Sequence, residues 1–186
     1  MRVGARGGST SSPISTGEIT MATKASFSPD EWTKILQSVV LASIAVSAAE
    51  PSGLWGTLKE GLATGRALLE AKTGTGASEL VKAIAADLET SEGQAMARDG
   101  LTAKLLGKKP AEIKSVAIDS LRAAAALVDS KAPGDAASFK TWVHHISQVV
   151  ADASSEGGFL GFGGVQVSDA EKATLSEIAS VLGIKS

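Results

Sequence analysis

The segment FKTWVHHISQVVADASSEGGFLGFGGVQVSDAEKATLSEIASVLG, residues 139–183, decides the fold that we predict for this chain. Its first part places apolar residues at helical spacing. Its last part begins with a capping pattern of Ser168 and Glu171 and ends at Gly183. A capping box, an apolar stripe and a terminal glycine are typical of an amphipathic helix. The segment is therefore predicted to form two helices joined by a glycine-rich, aromatic loop.

The sequence upstream of this hairpin predicts further helices of the same kind. Ser28, Pro29 and Glu31 form a strong helix start, and the helix that follows is apolar on all faces in its second half, which is typical of a central helix. Other amphipathic segments cover residues 54–72, 80–88, 91–106 with a break near Gly100, and 110–130. No strand of convincing length is present. We predict an all-α, single-domain bundle of about six to seven helices.

Two of the helix starts are predicted from local patterns alone. Ser91 and Gln94 resemble a capping pair for the segment that contains Gly93 and Gly100. Asp135 follows Pro133-Gly134 and is expected to cap the helix that carries Trp142.

The first residues differ in composition from the rest of the chain. Residues 1–20 are rich in glycine, serine and threonine and have no periodicity, which predicts disorder. The sequence Met-Ala-Thr-Lys from Met21 reads like a natural start. We therefore assign residues 1–26 to a disordered extension, with Met21 as the native start, and residues 27–186 to the helical domain.

Composition and charge argue against several classes of protein. The formal net charge is −2, with 18 basic and 20 acidic residues interspersed, so no basic patch indicates a nucleic-acid partner. Cysteine is absent, which excludes disulfides and thiolate chemistry. The most apolar run, residues 39–49, is about half the length that a transmembrane helix needs. We expect a soluble, cytoplasmic and bacterial protein without a transmembrane segment.

The two histidines, His144 and His145, offer the only imidazoles for chemistry. Adjacent helical residues point about 100° apart, so at most one of them is a candidate ligand. His144 is predicted to lie nearly opposite the core, whereas His145 lies on its flank in line with Asp152 and, if the helix continues, Glu156. A metal or acid–base site of His145, Asp152 and Glu156 is the alternative to ordinary polar surface residues.

The glycine-rich loop carries three large apolar residues, Phe159, Leu160 and Phe162. A phosphate-binding interpretation fails because a helix precedes the loop and no lysine stands at Walker spacing. Two interpretations remain. The three side chains either cover one end of the bundle or form a small apolar surface for a protein partner, a lipid surface or another copy of the chain.

No catalytic arrangement is apparent in the sequence. Serines are abundant, but none lies in a Gly-x-Ser-x-Gly elbow, and no calcium loop follows Asp152. We therefore expect a non-enzymatic protein without a cofactor that acts through protein–protein interaction or self-association. A ligand pocket between Trp32, Trp55 and Trp142 is a further alternative.

The C-terminal hairpin, residues 152–183, resembles that of the tellurite-resistance TerB-like helical family. The matching pieces are the capped start at residues 167–171 and residues 178–184, which close with Leu-Gly-Ile. The resemblance implies an all-helical cytosolic protein associated with stress or with membrane-linked assemblies, without established catalysis.

Overall fold

The computed structural model describes residues 22–49, 65, 68, 77–155 and 167–184. These residues form helices and turns without any strand, which confirms the predicted all-α class. A 3-10 turn at Lys24–Ser26 is followed by the α-helices α1 (Pro29–Ser47), α2 (Glu79–Leu88), α3 (Ser91–Arg98), α4 (Leu101–Leu105), α5 (Pro110–Lys131), α6 (Pro133–Ser155) and α7 (Asp169–Leu182).

Helix α1 lies at the centre of the bundle, as its apolar sequence predicts. It packs most extensively against α5 and α6, and it also contacts α2, α3 and α7. Trp32, Ile35, Leu36 and Leu41 are all at most 1% exposed. Apolar side chains cover several faces of α1. Neighbouring helices can therefore surround α1 and bury all of these side chains.

The C-terminal hairpin packs on this centre through α6 and α7. Helix α7 contacts α5, α6 and α1, and Ile178 and Leu182 on its inner face are buried. On α6, Phe139 and Ile146 are fully buried. The predicted inward faces of both helices are therefore confirmed.

The strongest sequence signals for helix ends are also confirmed. The hydroxyl of Ser28 accepts a hydrogen bond from the backbone of Glu31, and the Glu31 side chain accepts one from the backbone of Ser28. Ser168 and Glu171 form the same reciprocal pair at the start of α7. Gly183 ends α7 with φ +70°, and Gly100 separates α3 from α4 with φ +67°, a conformation that glycine adopts without strain.

Two predicted caps are wrong. Helix α3 is capped by Thr90, whose hydroxyl accepts a hydrogen bond of 2.9 Å from the backbone of Gly93, so Ser91 is already a helical residue. Asp135 lies inside the first turn of α6, and its Oδ2 accepts from the backbone nitrogen of Ala22 instead of capping the helix. At α3, the cap is a hydroxyl residue one position earlier in the chain than predicted. At α6, the predicted cap instead bonds to a distant chain segment. Local spacing reveals neither outcome.

Residues 22–26, which were predicted to belong to the disordered extension, are structured. Ala22 is buried at 4% exposure, and Lys24–Ser26 form the 3-10 turn. Phe27 follows and packs on Trp32, with ring centroids 5.9 Å apart. The packed part of the chain therefore includes residues before position 27.

Some predictions fall outside the described residues. Met21, the glycine-rich loop and nearly all of the segment 54–72 are among them, although Gly65 and Leu68 within that segment are both helical. Across the ranges that the structure describes, every helix is too short or too polar to cross a membrane.

Candidate functional site

His145 and Asp152, the two described members of the predicted metal site, are both exposed on α6. They are seven residues apart, which corresponds to roughly 10 Å along a helix. Glu156, the third member, lies outside the described residues. In the described ranges, no three His, Asp or Glu side chains lie close enough together to hold a metal ion.

The environments of the two histidines differ from the prediction. His144 was expected to lie opposite the core, but it is half-buried, whereas His145 is exposed. Burial lowers the pKa of His144 below its ordinary value, the backbone of Leu175 opposes this shift, and the charge of His145 adds to it. His144 is half-buried because α7 packs on α6 and brings Leu175 against a face of α6 that would point outward in the isolated helix.

Phe159, Leu160 and Phe162, the predicted partner-binding residues, lie outside the described part of the chain. Of the tryptophans proposed to line a pocket, Trp32 and Trp142 are buried in the core, and Trp55 is outside the described residues.

A different apolar side chain is exposed within the described residues. Leu106 is 79% exposed and is the only large hydrophobic residue with an exposed side chain in this part of the chain. It begins the turn at residues 106–109, which we call the 106–109 turn. A single exposed leucine is common on protein surfaces. Whether Leu106 indicates a binding surface therefore depends on the local structure that carries it.

The helix before the turn is fixed to the centre of the bundle. Gln37 on α1 is buried, and its amide nitrogen donates a hydrogen bond of 2.6 Å to the carbonyl of Asp99. Its side-chain oxygen accepts one of 3.1 Å from Nζ of Lys104. Leu101 packs into the core on the same side. Helix α4 has only five residues, and these contacts hold it in one orientation on α1.

The turn itself has a defined backbone. The nitrogen of Leu106 donates a hydrogen bond of 2.8 Å to the carbonyl of Thr102, and that of Lys108 donates one of 3.1 Å to Leu105. Gly107 adopts φ +74°. The start of α5 is tied down as well, because the nitrogen of Lys109 donates to the Glu112 carboxylate at 2.8 Å. Leu106 is thus held outward by an ordered turn.

Three lysines lie within three residues of Leu106 along the chain. Lys104, Lys108 and Lys109 are exposed, and none of them forms an ion pair with a described residue. Elsewhere, lysines pair with carboxylates across helices, as in the contact of 2.6 Å between Lys131 and Glu31. The 106–109 turn therefore presents one apolar side chain together with Lys108 and Lys109, which make no ion pair with the described part of the chain.

The sequence contained a weak signal for this feature. Leu101 and Leu105 are four residues apart and share one helical face, whereas Leu106 is turned about 100° away from Leu105. A helix as short as α4 buries one face only, which leaves the third leucine outside.

No protein-family model, no curated protein and no solved structure matches this chain.

Proposed function

We propose that this protein is a non-catalytic helical protein that binds another protein through the 106–109 turn. The observation that supports the proposal is the exposure of Leu106 on an ordered, hydrogen-bonded turn. Because the backbone of the turn is already ordered, little backbone entropy is lost when Leu106 enters a pocket on a partner. The partner class is a protein with a small apolar pocket bordered by carboxylates, which match Lys108 and Lys109 in charge.

The wider features of the chain are consistent with this role. Of the seven ion pairs between described residues, four join different elements of the fold, as in the pairs Lys114–Glu177 and Lys140–Asp129. The resemblance of the C-terminal hairpin to TerB-like proteins favours a bacterial, cytoplasmic protein in a stress-related or membrane-linked assembly. We keep Phe159, Leu160 and Phe162 as a second proposed contact surface for the same partner or for self-association.

Site-specific photocrosslinking in the native host tests the proposal. A photoreactive residue replaces Leu106 in one variant and the exposed residue Ala123 of α5 in the control. We expect a discrete crosslinked species from position 106 and none from position 123. Crosslinking that is equal at both positions, or absent at position 106, contradicts a specific surface at the turn.

Charge reversal tests the chemistry of the partner. With the photoreactive residue at position 106, replacing Lys108 and Lys109 by glutamate should remove the crosslink while leaving the helical circular dichroism unchanged. A crosslinked species of twice the chain mass identifies a second copy as the partner. A third crosslinking position at Phe159 tests the loop surface independently, and metal analysis of the untagged protein tests the His145 alternative.

A further inference from the structure

The carboxylate of Asp135 has an incomplete set of hydrogen bonds. Asp135 is 2% exposed, and its Oδ2 accepts a hydrogen bond of 2.9 Å from the backbone nitrogen of Ala22. Its Oδ1 is also buried and has no hydrogen-bond partner in the described ranges. An unsatisfied buried carboxylate oxygen is destabilising, and native structures contain few of them. A single amide N–H is therefore too weak a partner for this group.

The position of the Ala22 nitrogen is well defined. The side chain of Ala22 is buried at 4% exposure. The 3-10 turn that follows is closed by the nitrogen of Ser26, which donates 2.9 Å to the carbonyl of Thr23, while the nitrogen of Thr23 donates to the hydroxyl of Ser26 at 3.1 Å. These contacts hold the nitrogen of Ala22 against Asp135.

We propose that the mature protein begins at Ala22 and that its α-ammonium group forms a buried ion pair with Asp135. An amide nitrogen brings one proton and no charge, whereas an ammonium nitrogen at the same place brings three protons and a positive charge. One N–H can remain on Oδ2 while another turns to Oδ1. Charge-assisted hydrogen bonds are about twice as strong as neutral ones, and a buried charge requires a partner of opposite sign.

The local sequence is suited to the required cleavage. Met21 precedes Ala22, which is small and is buried at 4% exposure. Aminopeptidases remove an initiator methionine when the next residue is small, as they do before glycine. Hydrolysis adds water across the Met21–Ala22 peptide bond. The carbonyl of Met21 becomes a carboxylate on the departing residue, and the nitrogen of Ala22 takes up protons to become the ammonium group.

The same amine could come from two sources. Translation could start at Met21 and be followed by removal of that methionine, or a protease could cleave a longer chain after Met21. Both lead to the same contact with Asp135. The inference is independent of the proposed binding function.

Intact-mass measurement tests the proposal directly. The gene for residues 1–186 is expressed in the native host from its own upstream region, with an affinity tag after Ser186. We expect a chain that begins at Ala22 with an unmodified amine. A chain that begins at any other residue, or that carries an acetylated Ala22, overturns the proposal. This measurement does not depend on whether any variant folds.

Replacing Met21 by leucine distinguishes the two sources. If translation starts at Met21, Met21→Leu abolishes the chain that begins at Ala22. If a protease cleaves the longer chain, that species persists.

Native-state labelling tests the ion pair itself. The rate at which an amine-reactive acetylating reagent modifies Ala22 is compared in the folded and in the urea-unfolded protein. We expect slow labelling when folded and an increase of about tenfold or more in Asp135→Asn, as the loss of a charge-assisted hydrogen bond implies. Asp129→Asn, at an exposed carboxylate on α5, should not change the rate. Equal rates in folded and unfolded wild-type protein overturn the ion pair.

Discussion

The indole N–H of Trp32 donates a hydrogen bond of 2.6 Å to Oδ2 of Asp87. The same carboxylate accepts from Nζ of Lys24 at 3.0 and 3.2 Å. Asp87 lies near the end of α2, Trp32 at the start of α1, and Lys24 in the first 3-10 turn. One carboxylate therefore joins three chain segments that are distant in sequence, and it satisfies the polar atom of a buried tryptophan.

Loss of the Asp87 carboxylate should destabilise the fold through Trp32 more than through Lys24. Asp87→Ala leaves the indole N–H without its partner and should lower the free energy of unfolding by about 1–3 kcal/mol in urea denaturation. Lys24→Gln, which removes an exposed ion-pair partner, should cost less than about 1 kcal/mol. Equal losses in the two variants would show that the ion pair, and not the indole hydrogen bond, dominates.

Gly93 lies where α3 approaches the end of α2. A Cβ at this position would overlap the backbone carbonyl of Asp87. Gly93→Ala should therefore lower the free energy of unfolding by about 1–3 kcal/mol, although alanine is the better helix former. Gln94→Ala, at the neighbouring exposed position, should be close to neutral. Stabilisation by Gly93→Ala would mean that the two helices do not approach so closely.

His144 should make stability depend on pH near neutrality. In the unfolded chain its imidazole takes up a proton near pH 6.5, and in the folded chain, where burial lowers the pKa, it does so at a lower pH. Between these values the unfolded state binds more protons, so the free energy of unfolding should fall as the pH decreases below 6.5. The decline should be smaller in His144→Gln than in the wild type.

Two comparisons isolate the His144 effect. His145→Gln, at the adjacent exposed position, should retain most of the wild-type decline, because burial lowers the pKa of His144 more than the charge of His145 does. The pKa of Glu31 is also lowered, chiefly by its hydrogen bond with Lys131, so the stability linked to Glu31 is lost only as the pH falls below 4.5. A decline between pH 7.5 and 5.5 that is identical in His144→Gln and wild type would assign the effect to other groups.

The cap of α7 should contribute measurably to stability. The hydroxyl of Ser168 accepts from the nitrogen of Glu171 at 3.2 Å. Ser168→Ala should lower the free energy of unfolding by about 1 kcal/mol, as measured by thermal or urea denaturation. The same substitution at Ser176, an exposed position in the interior of α7, should be neutral or slightly stabilising. If both variants lose the same amount, the cap has no special role.

The sequence predicted the helices well because their signals are local. Ser28 and Ser168 each find a partner three residues along the chain, and Gly183 meets the steric requirement of a helix end without help from other segments. Apolar periodicity likewise predicts which face of α6 is buried, since any neighbour must cover that face.

The candidate site was harder to predict because its residues depend on contacts between distant segments. Leu106 is exposed because Gln37 and Leu101 orient α4 on α1. Asp135 is of a residue type that commonly caps helices, but its hydrogen-bond partner, Ala22, is 113 residues away along the chain. No local spacing rule contains such information.

The sequence by itself determined the helical class, the central place of α1 and the capped start of α7, because helix formation and capping depend on residues within a turn or two. Only the tertiary structure decided which histidine is buried, which leucine is exposed and which carboxylate meets the nitrogen of Ala22. These outcomes depend on how the helices pack, since packing determines which groups are removed from water and which donors they then meet.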